Sequence, residues 1–228
     1  ICLSFGGIIV KSFEGANLCQ ILFWRQVFFS IIVALYLFVN YKKNFFKSFY
    51  YSGLPGFIGG IFLAIGFAAY VFAMYTTTVA NTNFIITTET IFLALFGYFF
   101  LKEKISLITL ISIILGMTGV LIILGSSLSI QSTEEFFGNI VAFIMPISFA
   151  VLVIVVRKYP KTDMVPAQFI AGITAAAIGY LVAGQLTISL HDFFLAFLAG
   201  FFQIGFGFIL ITIGSQTTPA AVVGVLML

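Results

Sequence analysis

Apolar residues occur along this chain in long continuous runs, and short polar turns separate one run from the next. A helix that crosses about 30 Å of hydrocarbon needs about 20 mostly apolar residues, and several of the runs reach that length. Because the runs do not alternate between polar and apolar residues, they predict helices and not strands. Complete spans are predicted at residues 18–40, 53–75, 82–101, 105–125, 138–156, 165–184 and 193–213.

Both ends of the chain lie inside apolar runs. Residues 1–13 predict the outer part of a further helix, and residues 219–228 predict the beginning of another. The pattern therefore predicts an all-α protein, a polytopic transmembrane helical bundle, that is truncated at both ends.

The amino-acid composition excludes a soluble domain. The chain is 62% hydrophobic and 7% charged, with a mean hydropathy of +1.23, whereas soluble domains carry about a quarter charged residues. The net charge of +3 does not indicate a nucleic-acid partner, because the basic residues lie at the ends of the apolar runs. We therefore expect the lipid bilayer, and no nucleic acid, as a partner.

The basic residues also predict an orientation. Eight of the ten Lys and Arg residues lie in three alternate loops, at 41–52, 102–104 and 157–163. Loops of membrane proteins that are rich in Lys and Arg remain in the cytoplasm. The sequence therefore predicts a multi-pass protein of the plasma (inner) membrane with these three loops on the cytoplasmic side.

A short pattern occurs twice along the chain. Gly66-Phe67 followed by Thr77-Thr78-Val79-Ala80 recurs as Gly205-Phe206 followed by Thr217-Thr218-Pro219-Ala220. Five predicted helices separate the two copies, and an odd number reverses the direction of the second copy across the membrane. Inverted repeats of this kind are typical of secondary transporters, with a site near the membrane midplane between the halves. We therefore predict two inverted five-helix repeats, at 1–125 and 138–228, joined by an external loop at 126–137.

Five segments match a family pattern in the same order along nearly all of the chain. They are Arg25 in FWRQVFF, AMYTTTVANT at 73–82, Lys102-Glu103-Lys104-Ile105-Ser106, Gly116-Met117-Thr118-Gly119-Val120, and GNIVAFIMPISFAVLVIVVRK at 138–158.

These segments resemble the EamA-like group of the drug/metabolite transporter superfamily. The resemblance implies a bundle of ten helices that exports metabolites. It also implies a structural role for Glu103, which local pairing or the capping of the next helix would explain. One position departs from the family, because Thr90 stands where the group usually has a Pro, so no Pro supplies the kink that the family implies for the span 82–101.

Glu89 is the most informative single residue. A lone charged residue at midspan costs about 2.5–3.5 kcal/mol on insertion scales, so it should face a cavity or a partner. Three roles are open for Glu89: a proton-coupling carboxylate, a contact for a substrate amine, or a structural ion pair with Arg25. Arg25 has its own alternative, in which its long side chain extends to the outer interface beside Trp24.

Other polar residues complete the predicted site. Asn83, Thr87 and Thr90 share one face of the span 82–101, although hydroxyls in membrane helices often bond only their own backbone. The predicted substrate or coupling-ion cavity consists of Glu89, Arg25, Asn83, Thr87, Thr90, Tyr70, Gln203 and Ser148.

The sequence carries no motif for catalysis, a metal or a cofactor. It has no Gly-rich phosphate loop with its Lys, no His/Cys ligand cluster and no serine elbow. We therefore predict no cofactor, no metal and no enzymatic activity. The function predicted is secondary active transport, by alternating access, of small metabolites such as amino acids or related polar and amphipathic compounds.

Efflux is the direction that the resemblance implies, and proton coupling through Glu89 is a further hypothesis. The alternative class is an integral membrane enzyme or scaffold without transport activity.

Overall fold

The computed structural model describes residues 2–124 and 132–227, and these residues form a bundle of helices without strands. This confirms the predicted fold class of a polytopic helical membrane bundle. The α-helices are α1 (Gly6–Lys11), α2 (Leu18–Tyr41), α3 (Phe45–Thr76), α4 (Val79–Thr87), α5 (Glu89–Leu101), α6 (Leu107–Leu124), α7 (Thr133–Ala142), α8 (Ile144–Lys158), α9 (Val165–Ala183), α10 (Leu190–Phe197), α11 (Gly207–Ser215) and α12 (Ala220–Met227). Short 3₁₀ turns at Cys2–Phe5 and Lys42–Asn44 and a π-helical stretch at Leu198–Phe206 complete the described elements.

Each complete span that the sequence predicts is mostly helical in the structure. Five continuous segments of the described chain are long and apolar enough to cross a membrane, and the shorter helix Leu107–Ile122 is apolar as well. The longest of them, Leu18–Thr76, contains two helices that run in opposite directions. Phe29 of α2 packs on Phe67 of α3, whereas Tyr75, at the end of α3, donates to the carbonyl of Ala16, just before α2.

The prediction of a loop at residues 41–52 is wrong for residues 45–52, because they form the first part of α3. The chain turns at Lys42, which has a φ of 45°, and bends again at Gly53, which has a φ of 54°. Glycine suits the second bend, since it has no Cβ to clash at positive φ. The side chains of Phe46 and Tyr50 are 83% and 84% exposed, as expected for an amphipathic segment at a membrane interface.

Three of the membrane-spanning segments are interrupted. The segment Val79–Leu101 breaks at Thr88, the segment Thr133–Lys158 breaks at Phe143, and the segment Leu190–Ser215 contains the π-helical stretch. Backbone irregularity inside a membrane is tolerated where it is buried in protein or lines a cavity. The interruptions therefore indicate where in the bundle a cavity lies.

The prediction of an external loop at residues 126–137 is wrong for residues 133–137, which are helical. Residues 126–131 lie outside the described residues, and α7 already begins at Thr133. The Ser132 side chain accepts from the backbone N–H of Glu135 at 3.1 Å, and Glu134 and Glu135 lie in the first turn, where acidic residues stabilise a helix. These local interactions start the helix before the apolar run that marks it in the sequence.

The two copies of the repeated turn lie at opposite ends of the bundle. The first turn follows Tyr75, whose hydroxyl reaches Ala16 at 2.5 Å. Near the second turn, Gln216 donates to the carbonyl of Thr162 at 3.3 Å, beside Asp163, which accepts from Tyr41 at the other end of α2. This placement agrees with an inverted repeat, although the division of the chain into two five-helix repeats remains a prediction.

Candidate functional site

A cavity of about 540 Å³ lies inside the bundle. Helices α1, α3, α4, α5 and α8, the π-helical stretch, and parts of α2, α11 and α12 form its wall. Six of the eight residues predicted for the site line it: Arg25, Tyr70, Asn83, Thr87, Glu89 and Gln203.

Thr90 and Ser148 do not line the cavity. The Thr90 hydroxyl donates to the carbonyl of Thr87 at 2.8 Å, and its side chain faces Gly224 of α12. Ser148 packs instead against Gly66 of α3, where a Cβ on the glycine would come within 2.9 Å of the Ser148 Cβ. Both residues therefore contribute to helix packing. A Thr or Ser in a membrane helix can serve packing or a binding site, and the sequence alone does not distinguish the two.

Arg25 projects from α2 into the bundle and is only 1% exposed. Its Cζ lies 5.1 Å from the ring centre of Tyr70 and 5.9 Å from that of Phe67, which are cation–π distances. Nε and Nη2 have no hydrogen-bond partner among the described residues. The alternative in which this side chain extends to the outer interface is therefore wrong.

Glu89 lies in the same cavity wall and is 4% exposed. The helix is interrupted at Thr88, and Glu89 is the first residue of α5. Glu89 lines the cavity together with Asn83 and Thr87 of α4. No ion pair joins Glu89 to Arg25 within residues 2–124 and 132–227, so the structural-pair alternative is not observed.

Threonine hydroxyls bond the backbone at this break, which lies two residues before Thr90, the position where the family pattern has a Pro. The hydroxyl of Thr87 donates to the carbonyl of Phe84 at 2.6 Å, and that of Thr88 donates to Ile85 at 2.5 Å. The backbone N–H of Thr88 also bonds the carbonyl of Ile85, three residues back, at 3.0 Å. Hydroxyls that bond the preceding turn often bend helices. Thr87 therefore bonds its own backbone, as the sequence allowed, and also lines the cavity.

The first described helix closes one side of the cavity. A Cβ on Gly6 would lie 2.5 Å from Nε2 of Gln203 and 3.2 Å from the hydroxyl of Tyr70. Gln203 Nε2 also donates to the carbonyl of Leu3 at 3.4 Å. Because only a glycine permits this approach, two polar side chains from different segments meet against the backbone of α1.

A cluster of four phenylalanines lies at one wall of the cavity, and the sequence pattern does not reveal it. Phe67 packs on Phe29 and Phe208 with ring centres 5.3 and 5.1 Å apart, and Phe208 packs on Phe149 at 5.6 Å. All four are almost completely buried. In a chain with 30 phenylalanines, no local pattern separates these residues from those that face lipid.

Polar contacts join segments from the two parts of the chain at each end of the bundle. At the basic end, Glu103 binds the guanidinium of Arg157, with Nε at 2.9 Å from Oε1, and accepts from the N–H of Ala220 at 2.9 Å. Glu103 therefore pairs with a distant Arg and caps α12, not the helix that follows it in the chain.

At the opposite end, Asp192 of α10 binds the loop between α1 and α2. Its carboxylate accepts from the backbone N–H groups of Glu14, Gly15 and Ala16 at 2.9–3.1 Å. Trp24 adds a bond from its indole N–H to the carbonyl of Leu186 at 2.8 Å. Nothing in the sequence indicated that Asp192 is buried and accepts three backbone hydrogen bonds.

Together, an apolar multi-span bundle, interrupted helices and an internal cavity lined by both polar and apolar side chains are typical of the class of membrane transporters. The sequence model of the EamA-like transporter family matches residues 1–125, and the chain belongs to this family. It is therefore a membrane transporter of small molecules, which confirms that part of the prediction. Members of the family are transporters and not enzymes, which supports the prediction of no enzymatic activity.

A solved crystal structure has the same fold. It superposes with a TM-score of 0.77 over 99% of this chain and 79% of its own chain, at 16% sequence identity. A likeness at this identity concerns the fold alone. A comparison with curated proteins found no match.

Proposed function

We propose that the protein is a secondary active transporter that exports small polar or amphipathic metabolites, such as amino acids and related compounds. The observation that carries this proposal is the cavity of about 540 Å³ that places Arg25 and Glu89 together inside an apolar bundle. Burying two ionisable side chains in a membrane is costly and is typical of substrate and ion pathways.

The composition of the cavity wall favours alternating access. Arg25, Tyr70 and Glu89 come from the first part of the chain, whereas Phe149, Gln203 and Phe208 come from the second. A movement of one part against the other therefore changes every wall of the cavity at once. Rigid-body movement around a midplane site is the common mechanism of transporters built in this way.

Proton coupling is the proposed role of Glu89. Its carboxylate lines the cavity and has no basic partner among the described residues. A carboxyl group without a fixed counterion can take up a proton when the cavity faces one side and release it when the cavity faces the other. The amine of a substrate is the competing partner for the same oxygens.

The orientation is part of the proposal. The three basic segments gather at one end of the bundle, as the contacts of Arg157 with Glu103 and of Asp163 with Tyr41 indicate. We place this end in the cytoplasm of a plasma (inner) membrane by the positive-inside rule.

Reconstitution tests the function directly. Purified protein in liposomes should exchange labelled amino acids across the membrane, and an imposed pH gradient should drive net flux. Glu89→Gln should remove the dependence on the pH gradient while leaving the protein folded, because glutamine keeps the shape of the side chain. Glu134→Gln, which changes an exposed carboxylate outside the cavity, is the matched control.

Each result decides a separate claim. Flux that keeps its pH dependence in Glu89→Gln would assign Glu89 a structural role. A folded protein that moves no metabolite in a broad export screen would support the scaffold or enzyme class instead.

A further inference from the structure

Arg25 has hydrogen-bonding capacity that the fold does not use. The side chain is 1% exposed, it lines the cavity, and its Nε and Nη2 are enclosed without a partner in the described chain. A buried guanidinium normally pairs with a carboxylate, because desolvation of an unpaired charge is costly. Leaving buried donors unpaired adds a further cost.

The neighbours of Arg25 stabilise its charge but leave Nε and Nη2 without a hydrogen-bond partner among the described residues. The faces of Tyr70 and Phe67 attract the cation, with ring centres 5.1 and 5.9 Å from Cζ. Within the described residues the ion pairs are Arg157–Glu103 and His191–Glu14, so none of the described carboxylates is paired with Arg25. An aromatic setting that holds the cation without occupying its planar fork suits a ligand that arrives and leaves.

We infer that Arg25 binds the carboxylate of the transported molecule, so that the substrates are carboxylates with an apolar body and not organic cations. This inference rests on the proposed transport function and specifies its substrate class. Guanidinium and carboxylate match in geometry and form two parallel charge-assisted hydrogen bonds. An organic cation without a carboxylate would instead face the positive charge of Arg25 inside the same cavity.

The remaining wall accepts the apolar body. Phe67, Phe149 and Phe208 form a packed aromatic surface at the cavity, and Met145 lies beside them. Met and aromatic side chains adapt to apolar groups of different shapes. Glu89 also lines the cavity and is available to an ammonium group of the ligand.

Two matched series of probes test the inference on the wild-type protein. One is phenylalanine, 3-phenylpropanoate and 2-phenylethylamine, and the other is leucine, 4-methylpentanoate and 3-methylbutylamine. Binding is measured in detergent by the shift of the melting temperature and by calorimetry. Both carboxylate-bearing members of at least one series should bind, and the amine of that series should bind at least tenfold more weakly.

Substitutions then assign the preference to Arg25. Arg25→Gln should weaken carboxylate binding by about 10- to 100-fold, the range for a hydrogen bond to a charged group. Arg25→Lys keeps the charge and should retain the preference for carboxylates with weaker binding. Lys47→Gln, which changes a basic residue of the amphipathic segment outside the cavity, is the control and should bind as the wild type does.

The outcomes separate this inference from the transport function. Tighter binding of the amines, carboxylate binding in Arg25→Gln as tight as in the wild type, or no binding of any carboxylate would each overturn the inference. If Arg25→Gln fails to fold, the probe series on the wild type and Arg25→Lys still decide it. Carboxylates that bind without any flux in liposomes would instead leave the inference standing and contradict the transport function.

Discussion

The Asp192 carboxylate accepts hydrogen bonds from three successive backbone N–H groups of a loop that lies far away in sequence. The residue itself is fully buried, and its own N–H bonds the hydroxyl of Ser189 at 3.0 Å. Hydrogen bonds to charged groups are stronger than neutral ones. A single side chain therefore fixes the position of the loop that precedes α2.

Replacing this carboxylate should destabilise the bundle. Asp192→Ala leaves the N–H groups of Glu14, Gly15 and Ala16 without their acceptor, and we expect a loss of about 2–4 kcal/mol. The measurement is thermal unfolding of the purified protein in detergent. Asp192→Asn keeps one acceptor oxygen and should lose less than the alanine variant. Glu14→Ala removes an exposed carboxylate from the same loop, and a loss equal to that of Asp192→Ala would contradict the assignment.

At the residue scale, the cost of burying charge allowed several residues that line the candidate cavity to be predicted. Arg25 and Glu89 stand out in an apolar sequence, and both line the cavity together with Tyr70 and Gln203. Ser148 shows the limit of this reasoning, because a small hydroxyl is inexpensive to bury and serves packing equally well. The phenylalanine wall could not be predicted, since apolar residues that face a cavity, a helix or lipid have the same character in sequence.

At the element scale, hydropathy predicts where a span lies but not its interruptions. The break at Thr88 depends on hydroxyls that bond carbonyls of the preceding turn, and the π-helical stretch Leu198–Phe206 depends on packing against α2. Neither changes the mean hydropathy of its segment. The helical segment 45–52 was missed because its Lys and Ser residues interrupt the apolar run, so that hydropathy alone predicts a loop there.

Close contact between α2 and α9 leads to a prediction about packing. A Cβ on Gly179 would lie 2.8 Å from the backbone N of Phe23 and 3.0 Å from the carbonyl O of Cys19. Backbone atoms cannot move aside as a side chain can, so Gly179→Ala should force the helices apart. We expect a loss of about 1–3 kcal/mol, as for overpacked cores, measured by thermal unfolding in detergent.

Gly119 provides the matched control for this substitution. It lies within α6, and a Cβ there would meet nothing within 4 Å. Gly119→Ala should be neutral or stabilising by up to about 1 kcal/mol, because alanine restricts the unfolded chain and favours the helix. Equal destabilisation by the two substitutions would show that the contact between α2 and α9 is not what distinguishes them.

At the scale of the whole molecule, the cavity lies between two sets of contacts that join the same two parts of the chain. Glu103 and Arg157 form one set at the basic end, and Asp192 with the loop before α2 forms the other at the opposite end. A transporter that works by alternating access has to weaken one set while keeping the other. The repeated turns predict a construction from two parts, which stays a prediction. The contacts at the two ends join residues that are too far apart in sequence for any local pattern to reveal them.

The contact at the basic end should therefore control access to the cavity from that side. Arg157 binds both the Glu103 carboxylate and, through Nη1 at 3.0 Å, the carbonyl of Gln216 beside the start of α12. Arg157→Gln removes the charge from this network and should favour the conformation that is open at the basic end. A cysteine at Phe208, in a protein without Cys2 and Cys19, should then react faster with a membrane-impermeant thiol reagent.

The reagent is applied to each face of the vesicles in turn, so that the experiment also measures which end faces which side. We expect faster labelling only from the side that the basic loops face, because the contacts of Asp192 at the other end remain intact. Lys102→Gln removes a neighbouring positive charge but leaves the contact between Arg157 and Glu103 in place, so it should leave the labelling rate unchanged. Equal rates with and without Arg157→Gln would contradict the role of this contact in closing the basic end.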